Sequence, residues 1–339
     1  MAFLDPVRFL HELAPLAGEE ARGAYVASRL PGARQDGLGN VWAGEGRVLL
    51  LAHLDTVLPP APPRRAGGRL YGPGVGDNTS GVAVLLSLPE MPGVVRGFTV
   101  GEEGLGNLRG ARALVAALRP EVVVAVDGYL PGVVDRALGA VRFRATFLGR
   151  GGHAWGDRGS PNPVFALAEA LAGLHARFRE AFPPGQGLPE ASLNASLLEG
   201  GKAVNAIPPR ASALLEIRAL SPELLEGLFR QAQEALGEAA RRHGVEFSLE
   251  VLGERPAGST ATPGLLRAAE EALAQIGEKP LFQPGSTDAG AAVERGIPAL
   301  ALGVYRGSGA HTEGEWVLPG SLREGQRVLL AFLRALGVG

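Results

Sequence analysis

Short apolar runs alternate with segments of helical period through the first 127 residues. Residues 47–54 form a nearly unbroken apolar run bounded by turn residues, which suits a strand buried on both faces. Residues 5–30 carry Val7, Leu10, Leu13, Ala21, Tyr25 and Leu30 at helical spacing, with a break at Pro15 and Gly18. Thr79 to Leu88 reads as a buried helix, followed by a strand at 96–101, a helix at 108–118 and a strand at 121–127. Such alternation implies a mainly parallel sheet, whose ligands collect at the carboxyl ends of the strands.

The order changes near residue 140. A strand at Val141–Leu148, a helix at 163–181 and strands at 191–198 and Ala211–Ala219 lead into a helix opened by Ser221-Pro222-Glu223. That helix runs to about Arg242 and is followed by a strand at Val245–Leu252. This β-α-β-β-α-β order is the split arrangement of ferredoxin-like domains. After Gly253 the first pattern returns, with a helix at 263–276, an apolar segment at 297–304 and a closing helix at 321–336. The prediction is an α/β chain: a doubly wound domain with a mixed, mainly parallel sheet (1–139 and 254–339) and an inserted ferredoxin-like α+β domain (140–253). The stretch 59–63 is a proline-rich loop too short to be a linker domain.

Side chains that bind metals cluster where this pattern puts strand ends and glycine loops. His53 and Asp55 follow the first buried run; two residues apart on an extended chain, they share a face, and the carboxylate can orient the imidazole. A satisfied buried pair would look the same. Asp77 lies in Gly-Pro-Gly-Val-Gly-Asp-Asn (72–78), just before a helix, where an N-cap is the ordinary role for an Asp. The Gly-x-Gly here lacks the third glycine of a dinucleotide fingerprint and the Gly-Lys-Ser/Thr of a P-loop, so a nucleotide loop is excluded. Glu102-Glu103 ends an apolar run, and paired acids there repel unless a cation or proton intervenes, although a solvated acidic turn is the alternative. Asp127 follows five apolar residues and precedes a glycine, as a turn residue would. His311 sits in Gly-Ser-Gly-Ala-His-Thr (307–312), where it could be a loop histidine. Taken together, the five sets point to a two-metal hydrolase.

Composition narrows the chemistry. There is no cysteine in the 339 residues, so disulfides and thiolate ligands are excluded and any transition metal must be held by His and carboxylates. A formal charge of −2 with interspersed signs gives no reason to expect nucleic acid or an anionic membrane. The amino-terminal stretch carries acids within its apolar part, which does not fit a signal peptide, and no apolar run approaches the roughly 20 residues that span a bilayer. A cytoplasmic location is the expectation.

The order His-x-Asp, glycine-rich Asp-Asn, Glu-Glu, Asp and a late His resembles the zinc-dependent amidohydrolases that include peptidase T, aminoacylase, acetylornithine deacetylase and glutamate carboxypeptidase. The likeness extends over nearly the whole chain and takes in Gly67-Gly-Arg-Leu-Tyr-Gly-Pro-Gly74, Gly149-Arg-Gly-Gly-His-Ala154, Asn205-Ala-Ile-Pro208, Glu216-Ile-Arg218, Gly285-Ser-Thr-Asp288 and Gly309-Ala-His-Thr312. The resemblance implies two divalent ions per chain, zinc or alternatively cobalt or manganese. His53 and Asp127 would hold one, Glu103 and His311 the other, and Asp77 would bridge them. It implies Glu102 as general base, Asp55 as support for His53, and the inserted domain as a lid that also forms a homodimer. His153 would stabilise the tetrahedral oxyanion, and Asn205 and Arg218 would contact substrate.

Asp127 stands where deacylases and carboxypeptidases of the family have Glu, and Asp127-Gly-Tyr-Leu-Pro-Gly132 is similar to peptidase T-like members. The turn Asp77-Asn78-Thr79-Ser80-Gly81 also departs from the Asp-Met-Lys-Gly of deacetylases. The expected activity is hydrolysis of short peptides, of aminopeptidase or tripeptidase type. The alternative is an N-acyl-amino-acid deacylase or a carboxypeptidase.

Overall fold

A computed structural model of the chain describes residues 4–59, 61–185 and 189–338. Pro60, within the proline-rich loop, and the first three residues of the amino-terminal stretch lie outside the described residues. The chain divides into two compact units, one of Met1–Ala137 with Ser259–Gly339 and one of Leu138–Gly258.

The first unit is built on an eight-stranded sheet. Its centre is four parallel strands in the order Val94–Thr99, Val48–His53, Val122–Val126 and Ala299–Leu302. All six residues of Val48–His53 are buried, and so are all six of Val94–Thr99, as expected of strands with helices on both faces. The two-residue period sorts the side chains: Leu50 and Ala52 enter one apolar core, Leu49 and Leu51 the other. The first core is closed by the helices Pro6–Leu13, Thr79–Ser87, Pro263–Ala274 and Leu322–Ala335, the second by Arg109–Leu118 and Gly290–Val293. The break read at Pro15 and Gly18 separates Pro6–Leu13 from a second helix, Gly18–Arg29.

Two strands of this sheet have no clear sequence signal. Gly132–Ala137 runs antiparallel to Ala299–Leu302, and Leu281–Gly285 pairs parallel to Gly132–Ala137 at the sheet edge. The edge strand carries Pro284, which an edge tolerates and a central strand would not. A separate four-stranded sheet (Gly307–Ser308, Trp316–Val317, Arg69–Tyr71, Arg64–Ala66) pairs Trp316 with Tyr71. It thereby brings the loop carrying His311 beside the glycine loop carrying Asp77. The Arg69 guanidinium lies 3.9 Å from the centre of the Trp316 ring, reinforcing that junction.

The second unit has the strand-helix-strand-strand-helix-strand order. Its antiparallel sheet runs Ala191–Gly200, Arg210–Ala219, Gly139–Leu148, Glu246–Arg255. The helices Pro163–Ala181 and Pro222–His243 pack on this sheet over a core that includes Phe143, Phe147, Leu215 and Leu236. Both helices start at N-caps that accept a backbone N–H, Asn162 from Val164 and Ser221 from Leu224. Among the described residues no helix is long and apolar enough to cross a membrane.

Candidate active site

The carboxyl ends of the central parallel strands converge on one acidic cluster in the first unit. His53 is the last residue of its strand and is buried; Glu102 and Glu103 follow Val94–Thr99; Asp127 follows Val122–Val126. Asp77 and His311 come from the two loops held together by the small sheet.

Asp77 sits at the middle of the cluster. Its Oδ1 lies 3.0 Å from His53 Nε2 and its Oδ2 lies 2.9 Å from His311 Nε2. His311 Nε2 is also 3.1 Å from Glu103 Oε1, and His53 Nε2 is 4.0 Å from Asp127 Oδ2. The five residues therefore form a row: Asp127, His53, Asp77, His311, Glu103. Asp77 is free to face both imidazoles because it is not the helix cap. Asn78 takes that role, its side chain accepting the N–H of Gly81 at 3.1 Å and donating to the carbonyl of Val126 at 3.1 Å. The ordinary N-cap role for Asp77 is thus displaced by one residue. The Asp77–Asn78 peptide is cis.

Asp55 has three partners. His53 Nδ1 lies 3.1 Å from the Asp55 carbonyl and 3.4 Å from its Oδ1, which leaves Nε2 as the ring atom facing the row. The Asp55 carboxylate also accepts the backbone N–H of Glu102 at 3.1 Å and of Glu103 at 2.7 Å, fixing the acidic pair at its strand end. His311 has φ +65, a left-handed backbone unusual for a side-chain-bearing residue. The preceding Ala310 N–H donates to the Tyr129 hydroxyl at 3.0 Å.

The electrostatics are those of too much negative charge in one place. Burial, then the neighbouring Glu102 charge, pushes Glu103 up to about 7. Burial, then the Asp77 charge, holds Asp127 well above the ordinary carboxylate range. Burial would likewise raise Asp77, but its hydrogen bonds to His311 and His53 outweigh it and hold the carboxyl low. His311, bonded first of all to Asp77, is raised to about 9. For His53 burial opposes the charged form, yet Asp55 and Asp77 keep it well above its usual value. Protonated imidazoles thus stand among the carboxylates where cations would fit.

The donor set suits a divalent metal. One ligand atom each from His53, Asp77 and Glu103 lie within 4.8 Å of one another. Imidazole nitrogens and carboxylate oxygens without thiolate match zinc, cobalt or manganese.

Two acids of the site carry no role in the sequence reading. Asp288 is buried, accepts the Thr99 hydroxyl, and has an Oδ1 with no hydrogen-bond partner. Burial, then the charge of Glu102, raises it to about 7. Glu315 is buried against the glycine loop. Only Asp288 had a signal, as part of the Gly285-Ser-Thr-Asp288 motif.

The remaining candidates lie in the second unit. His153 is exposed and Asn205 is beside it, with Ala154 N–H donating to the Asn205 carbonyl at 3.0 Å. His153 Nδ1 accepts the backbone N–H of Gly156 at 3.1 Å and of Trp155 at 3.3 Å. Arg218 is already engaged: Nε and Nη2 donate to Glu216 at 2.7 and 3.1 Å, and Arg142 donates to the same carboxylate at 2.7 Å. Two guanidinium groups share the Glu216 carboxylate.

Comparison with known proteins agrees with this architecture. The model of peptidase family M20/M25/M40 matches residues 49–335. One of the chains of p-aminobenzoyl-glutamate hydrolase from Escherichia coli is 30% identical over 176 residues, covering 48% of this chain and 38% of that relative's length. Two crystal structures share the fold over nearly the whole chain. Aminopeptidase PepT from Bacillus cereus has a TM-score of 0.77 at 21% identity, covering 98% of each chain. A tripeptidase from Staphylococcus aureus has 0.79 at 19%, covering 97% of each. With most of its length matched by the family model, the chain belongs to peptidase family M20/M25/M40 and is a metal-dependent hydrolase of peptide or amide bonds.

Proposed function

We propose that this chain is a dinuclear zinc metallopeptidase that hydrolyses short peptides in the cytoplasm, of aminopeptidase or tripeptidase type. The observation that carries the reading is the row Asp127, His53, Asp77, His311, Glu103, with each oxygen of Asp77 turned to a different imidazole. A central carboxylate with a His and an acid on either side is the donor arrangement two ions need. His53 and Asp127 would hold one ion, His311 and Glu103 the other, with Asp77 between them. Ions held there supply Lewis acidity, lowering the pKa of water and polarising the scissile carbonyl.

Glu102, buried and fixed through its backbone by Asp55, is the proton carrier. It takes the proton of the attacking water and delivers it to the leaving amine. We take the inserted unit as the lid, with His153 as the donor to the tetrahedral oxyanion. In support, two backbone N–H groups donate to His153 Nδ1, so the neutral ring carries its proton on Nε2 and can donate it. Asn205 offers an exposed carboxamide, and the Arg218 guanidinium, oriented by Glu216, would meet a substrate carboxylate. A homodimer is supported by the edge strand Ala191–Gly200, which exposes Leu197 and Leu198 along an unpaired side.

Asp127 and the peptidase T-like residues after it favour a free α-amino requirement. The sequence relation to p-aminobenzoyl-glutamate hydrolase favours the second reading, a deacylase or carboxypeptidase. One tripeptide offered to metal-replete protein in free, N-acetylated and C-amidated forms separates them. Cleavage lost on N-acetylation supports the aminopeptidase; cleavage that survives acetylation but fails on C-amidation supports the second reading.

A further inference from the structure

The loop that presents Asp77 has glycines at 72, 74 and 76, and Gly74 has φ +70, so the chain alone holds it weakly. Its backbone N–H groups nevertheless converge. Those of Gly74, Gly76 and Asp77 all donate to the side chain of Glu315, at 2.8 Å for Gly76 and Asp77, both onto Oε1. Gly72 N–H adds a bond to the Glu315 carbonyl at 3.0 Å. Successive N–H groups turned to one point make an anion-binding concavity. In phosphate-binding loops an external ligand fills such a hollow; here the protein's own carboxylate does.

The fit leaves no room for a looser arrangement. A Cβ at Gly76 would stand 2.7 Å from Glu315 Oε1 and 2.8 Å from the Tyr305 ring. Glu315 is 1% exposed, and its carboxylate is spent on backbone donors of the loop, not on the row of candidate ligands. It lies four residues after His311, on the segment that pairs Trp316 with Tyr71. The side chain therefore ties the His311 loop directly to the peptide of Asp77, across 238 positions of sequence.

We propose that Glu315 is a positioning residue of the metal site. By filling the N–H hollow of residues 74–77 it fixes the Asp77 carboxylate between His53 and His311, and so sets the affinity and geometry of both ions. This rests on the reading of Asp77 as the bridging ligand. Groups that orient a ligand from behind typically change metal affinity by about 10–100-fold when altered. Gln has the shape of Glu but would turn an NH2 group toward at least one of these donors.

The test compares wild type and Glu315→Gln as metal-free protein titrated with cobalt(II), read by visible absorption and by the dissociation constants, with thermal melting of the metal-free forms alongside. The expected result is a cooperative melt for the variant, cobalt affinity lower by about tenfold or more, and an altered visible spectrum. Wild-type affinity and spectrum in the variant would overturn the proposal. If the variant does not fold, hydrogen exchange of residues 72–78 in metal-free wild type decides: strong protection supports the clamp, and exchange at the rate of an open loop overturns it. Failure of wild type to bind cobalt would count against the bridging ligand itself, while the exchange measurement would still judge the clamp.

Discussion

The carboxylate of Asp55 accepts the backbone N–H of Glu103 at 2.7 Å, while its residue also holds His53 Nδ1. One residue therefore aligns the first candidate ligand, through its carbonyl at 3.1 Å and its carboxylate at 3.4 Å, with the acidic pair of the neighbouring strand. Asp55→Ala should strand two N–H groups and remove the carboxylate 3.4 Å from the imidazole, leaving the ring only the backbone carbonyl. We expect a loss of about 1–3 kcal/mol in urea unfolding and at least about a tenfold drop in turnover. Unchanged turnover would remove Asp55 from the site.

Glu102→Gln keeps the shape of the side chain and removes its basicity. Metal content should stay at the wild-type level, and kcat should fall by about 10²–10⁴-fold, the usual contribution of a general base. Metal analysis alongside steady-state kinetics checks both halves.

The metal-free site should release protons when it binds an ion. His311, raised to about 9 by its bond to Asp77, and Glu103, raised to about 7 by burial and Glu102, are both protonated to a large extent at pH 7. An ion must displace those protons, so affinity should increase with pH from about 6 to 9. For the metal-free fold the sign is opposite. The raised pKa of His311 contributes stability that is full below about 6.5 and is lost as pH rises through about 9. Calorimetric titration in buffers of different ionisation enthalpy measures the released protons; a count of zero contradicts the protonated site.

The exposed edge strand gives the assembly a test. Leu197→Lys places a charge on the edge of Ala191–Gly200, where it blocks pairing with a second copy. Light scattering should show a dimer for wild type and a monomer for the variant, with the melting transition essentially unchanged.

The parts legible in the sequence are those fixed by local pattern. Unbroken apolar runs mark the buried strands ending at His53 and Val126, helical spacing marks Pro163–Ala181, and the start Ser221-Pro222-Glu223 marks Pro222–His243. Residues at the ends of those runs drew attention because charge there is costly without a partner. Glu315 escaped notice because nothing near it signals burial; its partners lie about 240 positions away and only the small sheet brings them close. Asp77 and Asn78 are both good caps, and the choice between them depends on Val126, a strand away. Arg218 looked available because its partner, Glu216, lies two residues along the same strand and on the same face, yet it is bonded to it. Gly132–Ala137 and Leu281–Gly285 follow or contain proline, which masks a strand signal, and only the sheet edge supplies their partners.

The two-metal site is tested most directly by zinc titration of metal-free protein, with hydrolysis of an unblocked tripeptide as the readout. No hydrolysis is expected without metal, and the rate should rise until two ions are bound per chain, with Asp77→Ala binding neither ion tightly. Full hydrolysis in the absence of metal, or saturation at a single ion with Asp77→Ala unaffected, would contradict it.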